Sequence, residues 1–131
     1  MTGVQTCALP ICDILPDSGN TIWLASGVGH GLLRYNYVSN KTESFSRSYG
    51  LNNEIVKSIA RDHNGNLWLG THNGLAVFNP VEKKFKNFDL TDGLPDEEFT
   101  RSSFFDSASN LVYLLTSHAV VYFNPDRKSV V

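Results

Sequence analysis

The sequence predicts an all-β fold, namely a partial β-propeller of about three blades, each a four-stranded antiparallel sheet. Three observations lead to this prediction. A motif recurs about every 44 residues, the segments between its copies are short apolar runs bounded by Gly, Asn and Asp, and no long stretch has helical periodicity. A repeat of this length made of short strands is typical of propeller blades.

The recurring motif is a turn that begins with Asp, followed by an apolar strand with one large aromatic residue. Residues 17–26 read Asp-Ser-Gly-Asn-Thr-Ile-Trp-Leu-Ala-Ser, and residues 62–71 read Asp-His-Asn-Gly-Asn-Leu-Trp-Leu-Gly-Thr. A third copy, at residues 106–116, has Tyr in place of Trp. A second motif, which ends in an aromatic residue and Asn, follows each copy at residues 31–36, 74–79 and 119–124.

Within one period, the pattern predicts strands of different character. Residues 67–69 and 75–78 are short apolar runs bounded by Gly and Asn, as in buried strands. Residues 85–90 predict a more polar strand. The apolar pattern of residues 55–59 is ambiguous by itself, because it fits more than one type of element.

Hairpin turns are predicted at residues 63–66 (His-Asn-Gly-Asn) and 72–74 (His-Asn-Gly), because Asn and Gly tolerate the positive φ of such turns. Other repeat folds agree less well with this pattern. Parallel β-helices have shorter repeats, helical solenoids of this period need amphipathic helices, and a β-sandwich does not repeat its motifs in register.

The composition argues against two classes of partner. The 131 residues include 11 basic and 13 acidic ones, for a formal net charge of −2. Nucleic-acid binders carry a basic stripe that neutralises phosphates, and the densest basic cluster here is the short segment 83–86. No apolar run reaches 18 residues. The sequence therefore predicts neither nucleic-acid binding nor membrane contact by this segment.

The two ends of the chain are interpreted as foreign to the fold. Residues 2–11 resemble the translation of a common sequencing adapter, and the last six residues resemble the opposite adapter. We therefore expect residues 1–12 to be artefact and junction and residues 126–131 to be artefact. The blades are then expected at about 13–49, 50–92 and 93–125. These contain no cysteine, which excludes a disulfide scaffold and a thiolate zinc site within them.

With these motifs, the chain resembles the two-component regulator propeller repeat family. A blade of that family runs from Gly-Leu through an apolar strand ending in Asp to Gly-Asn-Leu-Trp-Leu-Gly-Thr, and then to Gly-Leu and an aromatic residue followed by Asn/Asp-Pro. Residues 50–80 match this pattern throughout, from Gly50 through Asp62 and Trp68 to Pro80. The first copy departs at the Ala-Ser end of its strand, and the third lacks the Trp and the second Gly-Leu.

The resemblance implies a role in signalling. Such repeats typically form the periplasmic, extracytoplasmic sensor of hybrid histidine kinases, many of which respond to glycan fragments. In those proteins two propellers precede an immunoglobulin-like domain, a membrane helix and a kinase. The resemblance thus implies an oligosaccharide ligand, contact with the remaining blades of the same propeller, and a homodimeric intact sensor. Residues 93–99 and the degenerate third copy resemble the last blade of such an array.

The residues that recur once per blade are interpreted as structural. Trp23, Trp68 and Tyr113 could stack on a sugar ring, but their recurrence at one position per blade favours packing between neighbouring blades. The recurring acids precede tight turns, where a short carboxylate accepts backbone N–H bonds, so turn capping is favoured over metal binding or catalysis. These acids are Asp17, Asp62 and Asp106.

Candidate ligand contacts lie in loops. His30, His72 and His118 occupy equivalent loops after the aromatic strand of successive blades, and loops at one face of a propeller carry binding. Three further candidates lie on or near connections between blades, namely Arg47, Tyr49 and Arg101. The four histidines show no compact metal-ligand spacing, so neither a metal site nor another cofactor is predicted.

Ligand sensing by binding, without enzymatic activity in this fragment, is the predicted function. Two alternatives stay open. A propeller enzyme acting on polysaccharides would need paired carboxylates or a Tyr/His pair at the central channel, and a structural propeller would bind other proteins through a flat apolar patch. No Gly-x-Ser-x-Gly motif is present, and residues 27–31 lack the strand–helix context of a dinucleotide-binding loop.

Overall fold

The structure, a computed structural model, describes residues 10–127, whose strands form three antiparallel sheets in chain order. The first sheet contains β1 (Ile11–Pro16), β2 (Thr21–Ser26), β3 (Leu32–Asn36) and β4 (Lys41–Phe45). The second contains β5 (Val56–Arg61), β6 (Leu67–Thr71), β7 (Gly74–Asn79) and β8 (Lys84–Phe88). The third contains β9 (Phe99–Asp106), β10 (Leu111–Thr116) and β11 (Val120–Phe123).

Each sheet is a meander in which consecutive strands pair, and the register repeats from sheet to sheet. In each sheet, the recurring aromatic residue of the second strand is paired in register with one residue of the first strand and one of the third. These rows are Leu15, Trp23 and Arg34; Ala60, Trp68 and Val77; and Phe104, Tyr113 and Tyr122. Because side chains alternate between the two faces of a sheet, the three side chains of each row lie on the same face.

The predicted all-β architecture of strand-built repeats is confirmed. The ambiguous segment 55–59 lies largely in β5, and the more polar segment 85–90 begins in β8. The third repeat differs from the expected four strands, since it has three within the described part of the chain.

Two short 3₁₀ helices, Arg47–Tyr49 and Leu90–Asp92, were not predicted, and they lie in the connections between sheets. Each ends at a glycine with positive φ, Gly50 at 101° and Gly93 at 96°. A residue with a Cβ is strained in this conformation, so glycine lets the chain turn into the next sheet there. The described residues form no helix that is long and apolar enough to cross a membrane.

The terminal segments interpreted as adapter sequence are only partly described. Residues 1–9 and 128–131 lie outside the described residues. Ile11 and Cys12 form the start of β1, and the Cys12 side chain packs against the core between the first two sheets. At the other end, the Asp126 carboxylate lies 2.7 Å from the Nε2 atom of His63.

One hydrophobic core lies between the first and second sheets. Trp23, which is 3% exposed, contacts Phe78 of the second sheet edge-on, with ring centroids 5.8 Å apart. Phe45 at the end of β4 lies 5.0 Å from the same Phe78 ring. The Trp23 side chain therefore packs between neighbouring sheets.

A second core between the second and third sheets repeats this arrangement. Trp68, 4% exposed, contacts Phe123 of the third sheet edge-on at 4.6 Å and stacks on Phe88 of its own sheet at 6.0 Å. Phe78 and Phe123 are equivalent residues of β7 and β11, 45 positions apart. One aromatic pair per interface thus joins each sheet to the next.

The first strands of the sheets are tied together through side chains. The Asp13 Oδ2 atom of β1 accepts a hydrogen bond of 2.9 Å from the backbone N–H of Ile59 in β5. The Ser103 hydroxyl of β9 donates one of 2.8 Å to the carbonyl of the same Ile59. These bonds hold three neighbouring strands that belong to separate sheets and fix their relative positions.

Candidate ligand-binding face

Turns and connections between sheets gather at one end of the strands, which we call the connection face. In a four-stranded meander, the turn between the second and third strands lies at the end where the chain enters and leaves the sheet. The connection face therefore contains the β2–β3, β6–β7 and β10–β11 turns, together with the connections at 46–55 and 89–98. Loops on a rigid sheet scaffold are the usual carriers of binding residues.

The structure brings the three candidate histidines to this face. His30, His72 and His118 are all exposed, and each lies in the turn between the second and third strands of its sheet. Equivalent positions in neighbouring sheets place them along one end of the molecule.

The other three candidates have different surroundings. Arg47 lies in the first connection, where its Nε atom pairs with Glu54 Oε1 at 3.1 Å. Tyr49, in the same connection, meets the Phe45 ring edge-on at 5.0 Å. Arg101 is exposed on β9 itself, near the start of the strand.

Buried hydroxyl groups hold the turns of the connection face in shape. Thr71, 2% exposed, donates from Oγ1 to the carbonyl of Gly74 at 2.7 Å and accepts from the backbone N–H of Asn73 at 3.2 Å. Thr116 and Ser26 occupy the equivalent positions and bond to their own turns in related ways. A turn fixed by a buried hydroxyl presents its exposed side chains in one arrangement.

Removing this hydroxyl at the second sheet should destabilise the protein measurably. We expect Thr71→Val to cost about 1–3 kcal/mol of unfolding free energy, because the carbonyl of Gly74 and the N–H of Asn73 lose a buried partner. The matched control is Thr100→Val, since the Oγ1 atom of Thr100 also bonds to a backbone carbonyl, but at an exposed site. Urea denaturation of both variants measures the difference, and equal midpoints would contradict this role of Thr71.

The β2–β3 and β6–β7 turns are also bonded to the connection that enters the following sheet. The backbone N–H of Gly31 donates to the carbonyl of Glu54 at 2.8 Å, and that of Gly74 donates to Glu97 at 2.6 Å. The N–H of His72 donates to the carbonyl of Ile55 at 2.9 Å, in the connection that enters its own sheet. Turn and connection are therefore one hydrogen-bonded unit.

A polar cavity of about 110 Å³ opens on the connection face above the second sheet, and we call it the amide cavity. Its walls come from the first connection, the β6–β7 turn, the end of β8 and the second connection. Four asparagines, two acids and one threonine line it, and three apolar residues complete the wall. The lining residues are Asn52, Asn53, Thr71, Asn73, Leu75, Ala76, Asn87, Phe88, Asp89 and Glu97.

One of these asparagines anchors the cavity wall. Asn87 donates from Nδ2 to the carbonyl of Gly50 at 2.7 Å, and its Oδ1 atom accepts from the backbone N–H of Asn52 at 3.0 Å. The Asp89 carboxylate accepts from the N–H of Thr91 and so caps the second 3₁₀ helix. The cavity is thus bordered by groups with fixed orientation, as a preorganised binding site requires.

His118 also forms a pair with an acid of the second connection. Its Nδ1 atom lies 3.0 Å from Asp96 Oδ2. This hydrogen bond, with those from the backbone N–H groups of Glu98 and Glu97, lowers the pKa of Asp96 from its ordinary 3.8. The ionised carboxylate is therefore the form that the folded protein favours.

This pair gives a prediction about pH. Because the pKa of Asp96 is lower in the folded state, its contribution to stability is complete above its unfolded value of 3.8 and is lost as the pH falls through the folded value. We expect His118→Ala to raise the pKa of Asp96 towards 3.8, as followed by NMR titration of the carboxyl carbon. His72→Ala, in the equivalent turn of the second sheet, is the control. An Asp96 titration unchanged by His118→Ala would contradict the pairing.

The recurring acids lie at the opposite end of the strands. Asp62 Oδ1 accepts from the backbone N–H groups of Asn64 and Asn66, and its Oδ2 atom accepts from Trp68 Nε1 at 2.8 Å. Asp106 accepts from Ala108 N–H and the Ser109 hydroxyl.

Asp17 has a different environment. Its carboxylate pairs with the guanidinium groups of Arg34 at 3.1 Å and Arg61 at 3.5 Å, and its turn contact is the Thr21 hydroxyl. Within residues 10–127, no group of three His, Cys, Asp or Glu side chains could hold a metal ion.

Comparison with known proteins identifies the repeat. Residues 50–73, which include the first connection, β5 and β6, match the family described as two component regulator propeller. This segment of the chain therefore has the sequence of a two-component regulator propeller repeat. Among solved structures with this fold, the extracellular domain of the hybrid two component system BT3049 from B. thetaiotaomicron matches 88% of the chain with 30% identity and a TM-score of 0.77. That of BT4673 from the same organism matches 86% with 28% identity and a TM-score of 0.69.

A curated relative is also similar to part of the chain. Histidine kinase P4 of Formosa agariphila is 32% identical to this chain over 81 residues, or 62% of the chain. The three sheets are therefore blades of a β-propeller, as the sequence predicts. The chain spans only a small part of these relatives: 6% of the kinase, and 16% and 15% of the two extracellular domains.

The sequence analysis missed the amide cavity. Asn52 and Asn87 are 35 residues apart and meet only because β8 ends beside the first connection. The available signal was the accumulation of asparagine in the propeller segments that are not strands, at Asn52, Asn53 and Asn73.

Proposed function

We propose that the chain is part of the ligand-sensing propeller of a hybrid two-component histidine kinase, that it lies in the periplasm, and that it responds to glycan fragments. The observation that carries this proposal is the similarity to extracellular domains of hybrid two component systems over 86–88% of the chain, at 27–30% identity. The kinase relative supports the same assignment. In this proposal the intact sensor is a homodimer, and the segment itself binds without catalysing a reaction.

The amide cavity is the proposed contact site for the ligand. An asparagine side chain both donates and accepts hydrogen bonds, as does a sugar hydroxyl, so a wall of amides suits a neutral ligand rich in hydroxyl groups. Asn73 and Asn52 are exposed at its rim, and the partly buried Phe88 ring contributes an apolar surface. Sites for small ligands typically combine a small number of polar groups in fixed positions with an apolar wall.

The candidate histidines extend this site in the proposal. His72 lies next to Asn73 in the β6–β7 turn, and His30 and His118 mark the equivalent turns of the flanking blades. A linear oligosaccharide longer than the amide cavity would pass over these turns. Arg47 and Tyr49 border the same face in the first connection.

Titration calorimetry of the intact sensor with a panel of oligosaccharides tests the proposal. We expect one class of glycan to bind, and Asn73→Ala to weaken its binding by about tenfold, the loss of roughly one hydrogen bond. The matched control is Asn64→Ala, in the turn at the opposite end of the second blade, which should leave binding unchanged. If neither substitution weakened binding, the amide cavity would be excluded as the binding site. If no oligosaccharide of the panel bound, glycan fragments would be excluded as the ligand class. Cleavage of a bound glycan would favour a propeller enzyme instead.

A further inference from the structure

The wall of the amide cavity contains acidic side chains and no basic ones. Its lining includes Asp89 and Glu97 but no lysine, arginine or histidine. The asparagines of the wall bind the hydroxyl groups of any sugar, because an amide is neutral and both donates and accepts hydrogen bonds. An ionised carboxylate, in contrast, only accepts them, and it distinguishes ligands by their charge. The two acids can therefore set the class of sugar that the cavity admits.

The asparagines retain polar groups for a sugar after their bonds within the protein are counted. Asn53 accepts through Oδ1 from the backbone N–H of Ile55 at 3.0 Å, which leaves its Nδ2 group as a donor. Asn52 and Asn73 use their backbone N–H groups for bonds within the protein, and both residues are exposed. Amides at the rim and in the wall thus suit sugar hydroxyls.

The first carboxylate of the cavity directly follows β8. Asp89 accepts through Oδ1 from the backbone N–H and the hydroxyl of Thr91. The bond from this hydroxyl, together with that from the N–H, holds the pKa of Asp89 below its ordinary 3.8. The group is therefore ionised at neutral pH. A carboxylate has about four acceptor positions, so positions remain for a ligand at this exposed residue.

The second carboxylate belongs to the connection that enters the third sheet. The carbonyl of Glu97 accepts from the N–H of Gly74 at 2.6 Å, and its own N–H donates to Asp96 Oδ1 at 2.7 Å. Within residues 10–127, no lysine, arginine or histidine pairs with its half-buried side chain. Since Gly74 follows Asn73, the bond to Gly74 fixes this acid beside an amide of the cavity.

The surroundings of the cavity are also acidic. The second connection, residues 89–98, contains five acids and no lysine or arginine, namely Asp89, Asp92, Asp96, Glu97 and Glu98. Two bases nearby are already engaged. Arg47 pairs with Glu54, and the Lys86 ammonium lies 5.3 Å from the centroid of the Phe88 ring without lining the cavity. A site surrounded by one sign of charge attracts ligands of the opposite sign.

We infer that the sugar unit bound in the amide cavity carries a protonated amino group, and that sugars with a carboxylate or sulfate group are excluded there. The inference rests on the proposed function, since it takes the cavity to be a glycan site. An amino sugar matches both parts of the wall, because its hydroxyls suit the amides and its ammonium group donates to Asp89 and Glu97. An acidic sugar would bring like charges together beside the same carboxylates.

A divalent cation suits the cavity less well than an amine. Calcium takes about six to eight oxygen ligands. Three of the oxygens in the wall already accept hydrogen bonds within the protein, namely Asn53 Oδ1, Asn87 Oδ1 and Asp89 Oδ1. An ammonium group has three donors and needs only two or three acceptors, which the carboxylates can supply.

Titration calorimetry of the intact sensor, in buffer with EDTA, tests the inference with three disaccharides that share one linkage. The glucosamine disaccharide of chitosan carries amino groups, cellobiose is neutral, and cellobiouronic acid carries a carboxylate. We expect the amino disaccharide to bind about fivefold more tightly than cellobiose, the effect of one charge pair at a partly exposed site, and the acid to bind most weakly. Added NaCl should reduce these differences, because salt screens exposed charges.

Variants assign the preference to the cavity. Glu97→Gln and Asp89→Asn should each reduce the preference for the amino disaccharide. The matched control is Glu98→Gln, which removes an exposed acid of the same connection that does not line the cavity. A preference that survived in the double variant Asp89→Asn, Glu97→Gln, or that fell equally in Glu98→Gln, would contradict the inference.

Failure of the inference differs from failure of the proposed function. No binding of the amino disaccharide, binding no tighter than that of cellobiose, or binding only when Ca²⁺ replaces EDTA would overturn the inference. If a neutral or acidic glycan then bound and Asn73→Ala weakened its binding, the amide cavity would stand as a glycan site without the charge selection. If no oligosaccharide of the wider panel bound, the proposed function itself would fall.

Discussion

Replacing Trp68 by alanine is expected to lower the unfolding free energy by about 3–5 kcal/mol, the range for a large aromatic side chain deleted from a core. Trp68 is 4% exposed and forms the contact with Phe123 that joins the second and third blades. The substitution also leaves Asp62 Oδ2 without its hydrogen bond from the indole N–H. Urea denaturation of the purified protein, followed by far-UV circular dichroism, measures this loss.

Two further variants separate the contributions at this site. Trp68→Phe keeps an aromatic ring between the blades but removes the indole donor, so we expect an intermediate cost of about 1–2 kcal/mol. Tyr37→Ala removes an aromatic ring that is 45% exposed in a turn and should change stability by less than about 0.5 kcal/mol. If Trp68→Ala were no more damaging than Tyr37→Ala, the blade interface would not depend on this aromatic pair.

A single methyl group at Gly70 should also destabilise the protein, by about 1–3 kcal/mol, because overpacking a filled core forces its neighbours to move. The new Cβ would lie 2.5 Å from the hydroxyl oxygen of Ser58 in the same sheet and 2.8 Å from the Cβ of Phe99 in the next blade. The backbone conformation of Gly70 is open to any residue, since it is absent from the positive-φ positions of the described chain. The expected cost therefore comes from packing alone.

The double variant Gly70→Ala, Phe99→Val tests that reasoning. It gives the second interface the Ala–Val combination that the first interface already has at Ala25 and Val56. Valine keeps the Cβ of Phe99 but lacks the phenyl ring, so β9 has room to shift away from the new methyl group, and we expect part of the stability lost in Gly70→Ala to be recovered. The coupling free energy from a double-mutant cycle measures the recovery. Purely additive effects of the two substitutions would contradict direct contact across the interface.

The sequence was sufficient to predict the repeat, the strands and the equivalent positions of the aromatic residues, because these depend on local patterns that recur. Trp23 and Trp68 could be assigned to blade packing from their spacing, since any residue fixed once per repeat meets a neighbouring repeat. The same argument placed His30, His72 and His118 in equivalent turns. The end of the third repeat was less certain, because its motif has lost the Trp and Gly-Leu signals.

The amide cavity and the packing at Gly70 could not be predicted in the same way. The side chain of Asn87 meets Gly50 and Asn52 only after β8 has paired along the sheet, so no local pattern marks the contact. The packing at Gly70 depends on a contact with Phe99 in the next blade, 29 positions further along the chain. An interface between repeats depends on residues from two separate segments of the chain, so a motif within one segment does not predict how the interface packs.

The hydrogen bonds from Gly31 to Glu54 and from Gly74 to Glu97 set a direction for mechanical coupling in the molecule. Each bond joins a turn to the segment that immediately precedes the next blade. Displacement of the turn would therefore also displace the segment that leads into the first strand of that blade. That strand is in turn held to adjoining ones through Asp13 and Ser103. A force applied at one turn is thus delivered sideways into the first strand of the next blade, as well as along the sheet to which the turn itself belongs.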